Sequence, residues 1–424
     1  VADVSSNFYP TRHVDPSEPG LVAAYTFADG ELAQFGRYIN RAATGTIYDL
    51  TTRVGTPIVG QGGGVYANDN ASQWYNNSPI PVGASNFQYS GDANVSESPP
   101  GARAFFYNDQ HRLYVNAGGT VFCTLNAGGT ASTTAYSLLD RGTFRWDFGY
   151  DGANQWLAIN GVLSDSDAVA PGSPVNTIFV GRHCTSRLAK VYNIRRTVAE
   201  ARASYIRDFA RRILWQWTPR DVGEGPAGGI LTNSNIPFGE FFCPLGAATL
   251  KFEYSRVVNG LVLTDTNVGN NRITFPIMGN RPFFGSWLAE HIVRDPATDD
   301  SIISFDTIRG ESWTLGSGAS YWIRSHQSGG LWSLEWMRGG VGPLVSVTMP
   351  TPPANSRIQI LGTRRVDGYF QIHARVYGGN WYSSLLASDT TYLNISYISI
   401  APRGGYIPSL RWFQGEMNSS EICI

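Results

Sequence analysis

Three consecutive runs decide the fold: Phe144-Arg145-Trp146-Asp147-Phe148, Tyr150-Asp151-Gly152, and Leu157-Ala158-Ile159-Asn160-Gly161-Val162-Leu163. In the first run aromatic and charged residues alternate, which is the period of a strand with one face on a core. Asp151-Gly152 and Asn160-Gly161 sit between or just after such runs. These residue types accept positive φ at the lowest cost, so each pair marks a tight turn. The same alternation recurs in Leu21-Val22-Ala23-Ala24-Tyr25-Thr26-Phe27, with Leu21, Ala23, Tyr25 and Phe27 on one face. It returns in Leu331-Trp332-Ser333-Leu334-Glu335-Trp336 and in Tyr369-Phe370-Gln371-Ile372-His373-Ala374-Arg375-Val376. Many short strands with turns between them define an all-β sandwich or barrel.

The composition of the 424 residues agrees. Charged residues make up only 15%, against about 25% in an average soluble protein. Gly (47) and aromatics (12 Trp, 21 Tyr, 21 Phe) take their place. Aromatic content excludes a disordered chain, and the net charge of −1 argues against a dedicated nucleic-acid binder. No apolar run reaches the roughly 18–20 residues of a membrane span. Neither nucleic acid nor membrane is therefore expected as a partner. Lys190 and Lys251 are the only lysines; all other basic residues are Arg. A GC-rich genome and selection for bidentate contacts both account for that skew. Residues 1–20 are polar, hold Pro10, Pro16 and Pro19, and lack the pattern of a signal or transit peptide. The chain starts at Val1, so removal of an initiator or leader is expected. Cys123, Cys184, Cys243 and Cys423 show no zinc spacing. Cys243 and Cys423 bracket the second half and form a candidate disulfide; the alternative is buried free thiols.

One segment departs from the strand pattern. Thr197-Val198-Ala199-Glu200 has the form of a capping box. Val198, Ala199, Ile206, Phe209, Ala210, Ile213 and Leu214 then follow helical spacing, with arginines on the rest of the surface. An amphipathic helix is expected over about 198–214. The Pro/Gly-rich stretch 219–229 reads as a linker. The resulting organisation is an extended arm (1–19), a first β-domain closed by the helix (20–218), the linker, and a second β-domain (230–424).

These residues carry a resemblance. Gly20 to Phe27 resembles the opening strand of laminin G-like, concanavalin A-like jelly rolls. Tyr150-Asp151-Gly152 with Leu157 to Leu163 resembles their central hairpin, Thr177 to Arg182 the next strand, and Val191 to Glu200 the closing strand and helix start. The resemblance implies two tandem concanavalin A-like jelly-roll sandwiches, with the helix over an open edge or end of the first. The helix also holds Tyr205, Phe209, Ala210 and Arg211 in the pattern that joins such domains in structural proteins of tailed phages. The tract Arg357-Ile358-Gln359-Ile360 and Asp367 to Gly379 is similar to the second domain of that group. The stretch Gly60 to Gly91 carries little of the pattern. What this similarity implies is a virion component, a capsid decoration or fibre-type protein. Its arm 1–19 would grip other virion proteins, and it would assemble as a homo-oligomer.

Catalytic signatures are sparse. No HExxH, nucleophile elbow or Walker loop occurs, and Gly60 to Gly64 reads as a flexible loop. No strand places two carboxylates on one face as a glycosidase requires. Gln371-Ile372-His373 matches one strand of alginate-type polysaccharide lyases, and Arg309-Gly310-Glu311 faintly matches another; the third is missing. A lyase is thus the weaker alternative to a protein that is not an enzyme. No cofactor is expected; calcium is the alternative, with Asp151, Asp165 and Asp167 as candidates by loop position. For glycan binding the candidates are Trp381 and Tyr382, which follow the turn Gly378-Gly379-Asn380; Trp74-Tyr75 competes as core, and Trp215 with Trp217 as an interdomain seam. A lectin-like carbohydrate-binding protein, virion-borne or extracellular, is the alternative function.

Overall fold

Strands Phe144–Tyr150, Asn154–Ile159 and Val162–Ala168 form an antiparallel meander around the two turns. This is seen in a computed structural model that describes residues 14–28, 30–59, 64–67, 72–108, 110–125, 128–133, 136–169, 177–217, 230–233, 239–242, 250–255, 260–265, 273–297, 299–307, 320–400 and 405–422. Asp151 Oδ1 accepts the backbone N–H groups of Ala153 (2.9 Å) and Asn154 (2.8 Å), which closes the first turn. Asn160 and Gly161 both take positive φ, 51° and 69°, as the second hairpin requires.

The chain divides into two compact units, Val1–Arg212 and Ile213–Ile424. Each is a β-sandwich. In the first, an eight-stranded sheet runs in the order Val162–Ala168, Asn154–Ile159, Phe144–Tyr150, Gln88–Asn94, Thr185–Tyr192, Val65–Tyr66, Ile58–Val59, with Leu21–Tyr25 also paired to Thr185–Tyr192. A seven-stranded sheet faces it, from Gly128–Ser132 at one edge to Leu50–Val54 at the other. Trp146 and Tyr89 of the first sheet meet Phe106 of the second at 5.0 and 5.1 Å between ring centroids. The pattern-poor stretch from Gly60 to Gly91 contributes strands Val65–Tyr66 and Gln73–Asn76. Trp74 is buried there against Tyr38, which fits the core reading.

Large indoles need room on a pleated surface, and glycine on the neighbouring strand supplies it. Trp146 pairs with Gly91, Trp156 with Gly149 and Trp287 with Gly362. A Cβ at Gly362 would lie 2.2 Å from the Trp287 ring. The glycine excess noted in the sequence therefore serves strands as well as turns.

The helix begins as expected. Thr197 Oγ1 accepts the N–H of Glu200, and the Glu200 carboxylate accepts the N–H of Thr197 (2.7 Å). It ends earlier than expected. Val198–Tyr205 is α-helical, Ile206–Ala210 opens into a wider π turn, and Ile213–Trp217 is already a strand. That strand pairs with Gly405–Phe413 and so belongs to the second unit. Residues 213–217 are thus not the tail of the first domain. Trp215 lies in the second core.

The helix covers a sheet face, not an edge. Val198 and Ala201 pack on Trp156 and Ala158. By the strand alternation, Arg145, Asp147, Ser90 and Lys190 occupy that same face. All four are buried. Arg145 pairs with Asp92 at 2.5 Å, Arg212 also reaches Asp92, and Lys190 Nζ donates to Asp208 (3.0 Å). Residues 14–19 are part of this arrangement. Glu18 is buried and accepts from Lys190 (3.0 Å), Arg207 (3.0 Å) and Arg196 (3.5 Å). The extended arm expected over 1–19 is thus docked from residue 14 onward, and residues 1–13 lie outside the described residues.

In the second unit, one sheet runs Ile213–Trp217, Gly405–Phe413, Gly285–Val293, Ser356–Arg364, Tyr369–Val376, Tyr382–Ser383, with Ala387–Ser388 also on Tyr369–Val376. The other has eight strands, from Ile230–Asn233 to Gly342–Pro350. Trp287, Trp336 and Trp412 gather around Phe283 and Phe305 between them. The architecture is all-β in both units. Cys123 and Cys184 are buried free thiols. The linker 219–229, residues 60–63, Arg309-Gly310-Glu311, Cys243 and Cys423 lie outside the described residues. Among the described residues no helix is long and apolar enough to cross a membrane.

Candidate binding surface

Strand Tyr369–Val376 alternates inward and outward. Phe370, Ile372 and Ala374 enter the core. Gln371, His373 and Arg375 therefore share the outer face, and Tyr377 follows them beyond the strand end. On the neighbouring strand Gln359 lies opposite Arg375, and Arg357 sits beside Tyr377, whose N–H donates to the Arg357 carbonyl at 2.8 Å.

The chain then turns through Gly378, at positive φ, with the Gly379 N–H on the Val376 carbonyl (2.8 Å). It returns as the short strand Tyr382–Ser383, with Ser383 opposite His373 and Tyr382 opposite Ala374. This register separates the two expected glycan-binding residues. Ser383 Oγ and His373 Nδ1 are 2.7 Å apart on the outer face. Trp381, two residues before Ser383, lies on that face too, with its ring 6.4 Å from His373 and 4.4 Å below the Arg375 guanidinium. Tyr382 faces the other way, on the Ala374 side, and is exposed.

The outer face thus holds two aromatic–arginine stacks. Arg375 covers Trp381, and Arg357 covers Tyr377 at 4.5 Å. Cation–π contact fixes each guanidinium plane. Arg357 also pairs with Glu290 at 2.5 Å. Arg375 Nε donates to Gln359 Oε1 at 2.7 Å. Tyr377 is 53% exposed, whereas Trp381 is half-buried. Sequence reasoning missed the arginines and Tyr377. Their signal was the outward period of Tyr369–Val376, read only as a strand.

His373 is buried beneath this layer. Burial holds its pKa down to about 4, so the imidazole is neutral over the physiological range. Gln371 donates its side-chain N–H to the Ser384 carbonyl (2.8 Å), so this residue of the lyase-like tripeptide fastens the return strand.

The calcium candidates are separated in role. Asp151 caps its turn. Asp165 and Asp167 sit on strand Val162–Ala168, not in a loop, and accept the backbone N–H groups of Ser132 (3.1 Å) and Thr130 (2.7 Å). Among the described residues no three His, Cys, Asp or Glu side chains converge as a metal site.

No protein-family model matches the chain, and no curated protein matches its sequence. Solved structures with similar backbones include the binding domain of botulinum neurotoxin DC in complex with SialylT, 9% identical over 95% of this chain and 96% of that one, with a TM-score of 0.37. The same domain in complex with rat synaptotagmin II is 9% identical over 95% of each chain, with a TM-score of 0.36. Trypanosoma rangeli sialidase in complex with the inhibitor DANA is 14% identical over 46% of this chain and 35% of that one, with a TM-score of 0.34. At these scores the likenesses do not bear on what this chain binds.

Proposed function

We propose that the chain is a non-catalytic binding protein of a tailed-phage virion, a capsid-decoration or fibre-type component that holds a glycan on the outer face of its second sandwich. The observation that carries the binding role is the Trp381–Arg375 and Tyr377–Arg357 pair of stacks, partly open to solvent on a sheet face. Aromatic rings with fixed polar neighbours suit sugars, which present apolar ring faces edged by hydroxyls. Binding without turnover is supported by His373, the residue a lyase would use, which is buried, neutral and bonded to Ser383. The virion setting is supported by the order of the sequence motifs: a laminin G-like sandwich, a capped helix with Tyr205, Phe209 and Arg211, then a second sandwich. Residues 1–13, ahead of the docked Glu18, would make the contact to other virion proteins, in a homo-oligomeric assembly.

A glycan array probed with the full chain tests the binding half. Bound glycans are expected, and Trp381→Ala should abolish their capture. An array without hits refutes that half. Genes for capsid and portal proteins beside this one, and the chain in purified particles, are expected for the virion half; its absence from particles refutes it. A lectin-like protein outside a virion is the reading that would then remain.

A further inference from the structure

Among the described residues the one carboxylate that reaches the two stacks is Glu290, and Arg357 uses it. Arg375 has no carboxylate partner among the described residues. Its Nε is tied to Gln359 and its plane lies on Trp381, so its terminal N–H groups are held in a fixed fork that meets no acceptor among the described residues. Gln359 is fully buried, and its Nε2 has no hydrogen-bond partner among the described residues; neither has Arg357 Nε. Buried donors without acceptors are rare and call for a partner. His373 adds no charge, because burial keeps it neutral.

We propose that this surface selects an acidic sugar, and that Arg375 receives its carboxylate. The assignment rests on the glycan reading above and sharpens it. A guanidinium whose orientation is already fixed meets a planar carboxylate in bidentate fashion with little further loss of freedom. A neutral sugar offers hydroxyls, which both donate and accept and leave the charge of Arg375 unmatched. A uronate and a sialate share the carboxylate that Arg375 would take, so ligand pairs of both kinds distinguish the source.

Titration calorimetry on the full chain uses tetragalacturonate against its carboxyl-reduced tetramer, and sialyllactose against lactose. For one pair the acidic member should bind about tenfold or more tightly than its neutral counterpart. Arg375→Gln should bring that ratio to about one, and Arg375→Lys, which keeps the charge but loses the fork, should fall between. Arg365→Gln serves as control and should keep the ratio, since Arg365, in the turn between two strands of the same sheet, is already paired with Asp367. Equal binding of acidic and neutral members overturns the acidic assignment and leaves glycan binding standing. A preference that survives Arg375→Gln overturns the role of Arg375. No binding of any of the four sugars, with no hits on the array, removes both.

Discussion

Replacing Glu18 by Gln tests whether the N-terminal segment is built into the first sandwich. The carboxylate is buried and accepts from Lys190, Arg196 and Arg207. Glutamine keeps the volume but removes the charge. Lys190, whose side chain is 1% exposed, would keep only Asp208 as its anion among the described residues. Breaking a buried pair from one side costs about 3–5 kcal/mol, because the remaining charge stays out of water. Arg207 is half exposed and recovers hydration, so the lower end, about 3 kcal/mol, is expected. For a unit of this size that is a drop of about 6–12 °C in Tm. Hydrogen exchange read by mass spectrometry over residues 14–25 and 185–212 should show both segments losing protection together. Burial alone would raise the Glu18 pKa, but Lys190 and Arg207 outweigh it and hold it below the usual carboxylate range. Its stabilising effect is therefore present above the unfolded pKa and is lost as pH falls through the lower folded value. The variant should accordingly differ from wild type at neutral pH and converge with it in acid. A loss below about 0.5 kcal/mol at pH 7, with protection unchanged, would refute the docking of this segment.

Three further outcomes are expected. Asp147 behaves oppositely to Glu18: burial pushes its pKa up to about 6, only partly opposed by Arg145. Stability from this group is thus complete below the unfolded pKa near ~3.9 and lost as pH rises through about 6. Between pH 4 and 7, urea unfolding should shift in favour of Asp147→Asn relative to wild type by about 2 kcal/mol, and a constant difference would contradict this. Thr197→Ala removes the helix cap and should cost about 1 kcal/mol, read as faster exchange over 198–205. Gly362→Ala forces a methyl against Trp287 and should destabilise the second sandwich by about 1–3 kcal/mol, with altered tryptophan fluorescence.

The parts of the fold that were legible in the sequence depend on few neighbouring residues. Asp151-Gly152 and Asn160-Gly161 specify their turns by local backbone preference, and Thr197 with Glu200 closes its own hydrogen bonds. The helix end was not legible in the same way. Ile213 and Leu214 fit a helical stripe, yet the strand they form is set by Gly405–Phe413, far along the chain. Alternation also told which residues of Phe144–Tyr150 face the core, but not what covers the others. Arg145 and Asp147 read as polar surface, yet both are buried, with Phe209 of the helical segment over Arg145.

The candidate site divides along the same line. From the sequence by itself, Trp381 and Tyr382 were an aromatic pair after a turn, on an all-β scaffold of two sandwiches. The tertiary structure decided that they face opposite ways, because Tyr382 pairs with inward Ala374 while Trp381 returns under Arg375. It also decided which arginines matter. Sequence fixes side-chain direction within one strand through the two-residue period, but strand register chooses the cross-strand partners. That register brings Gln359 opposite Arg375 and leaves Glu290 with Arg357.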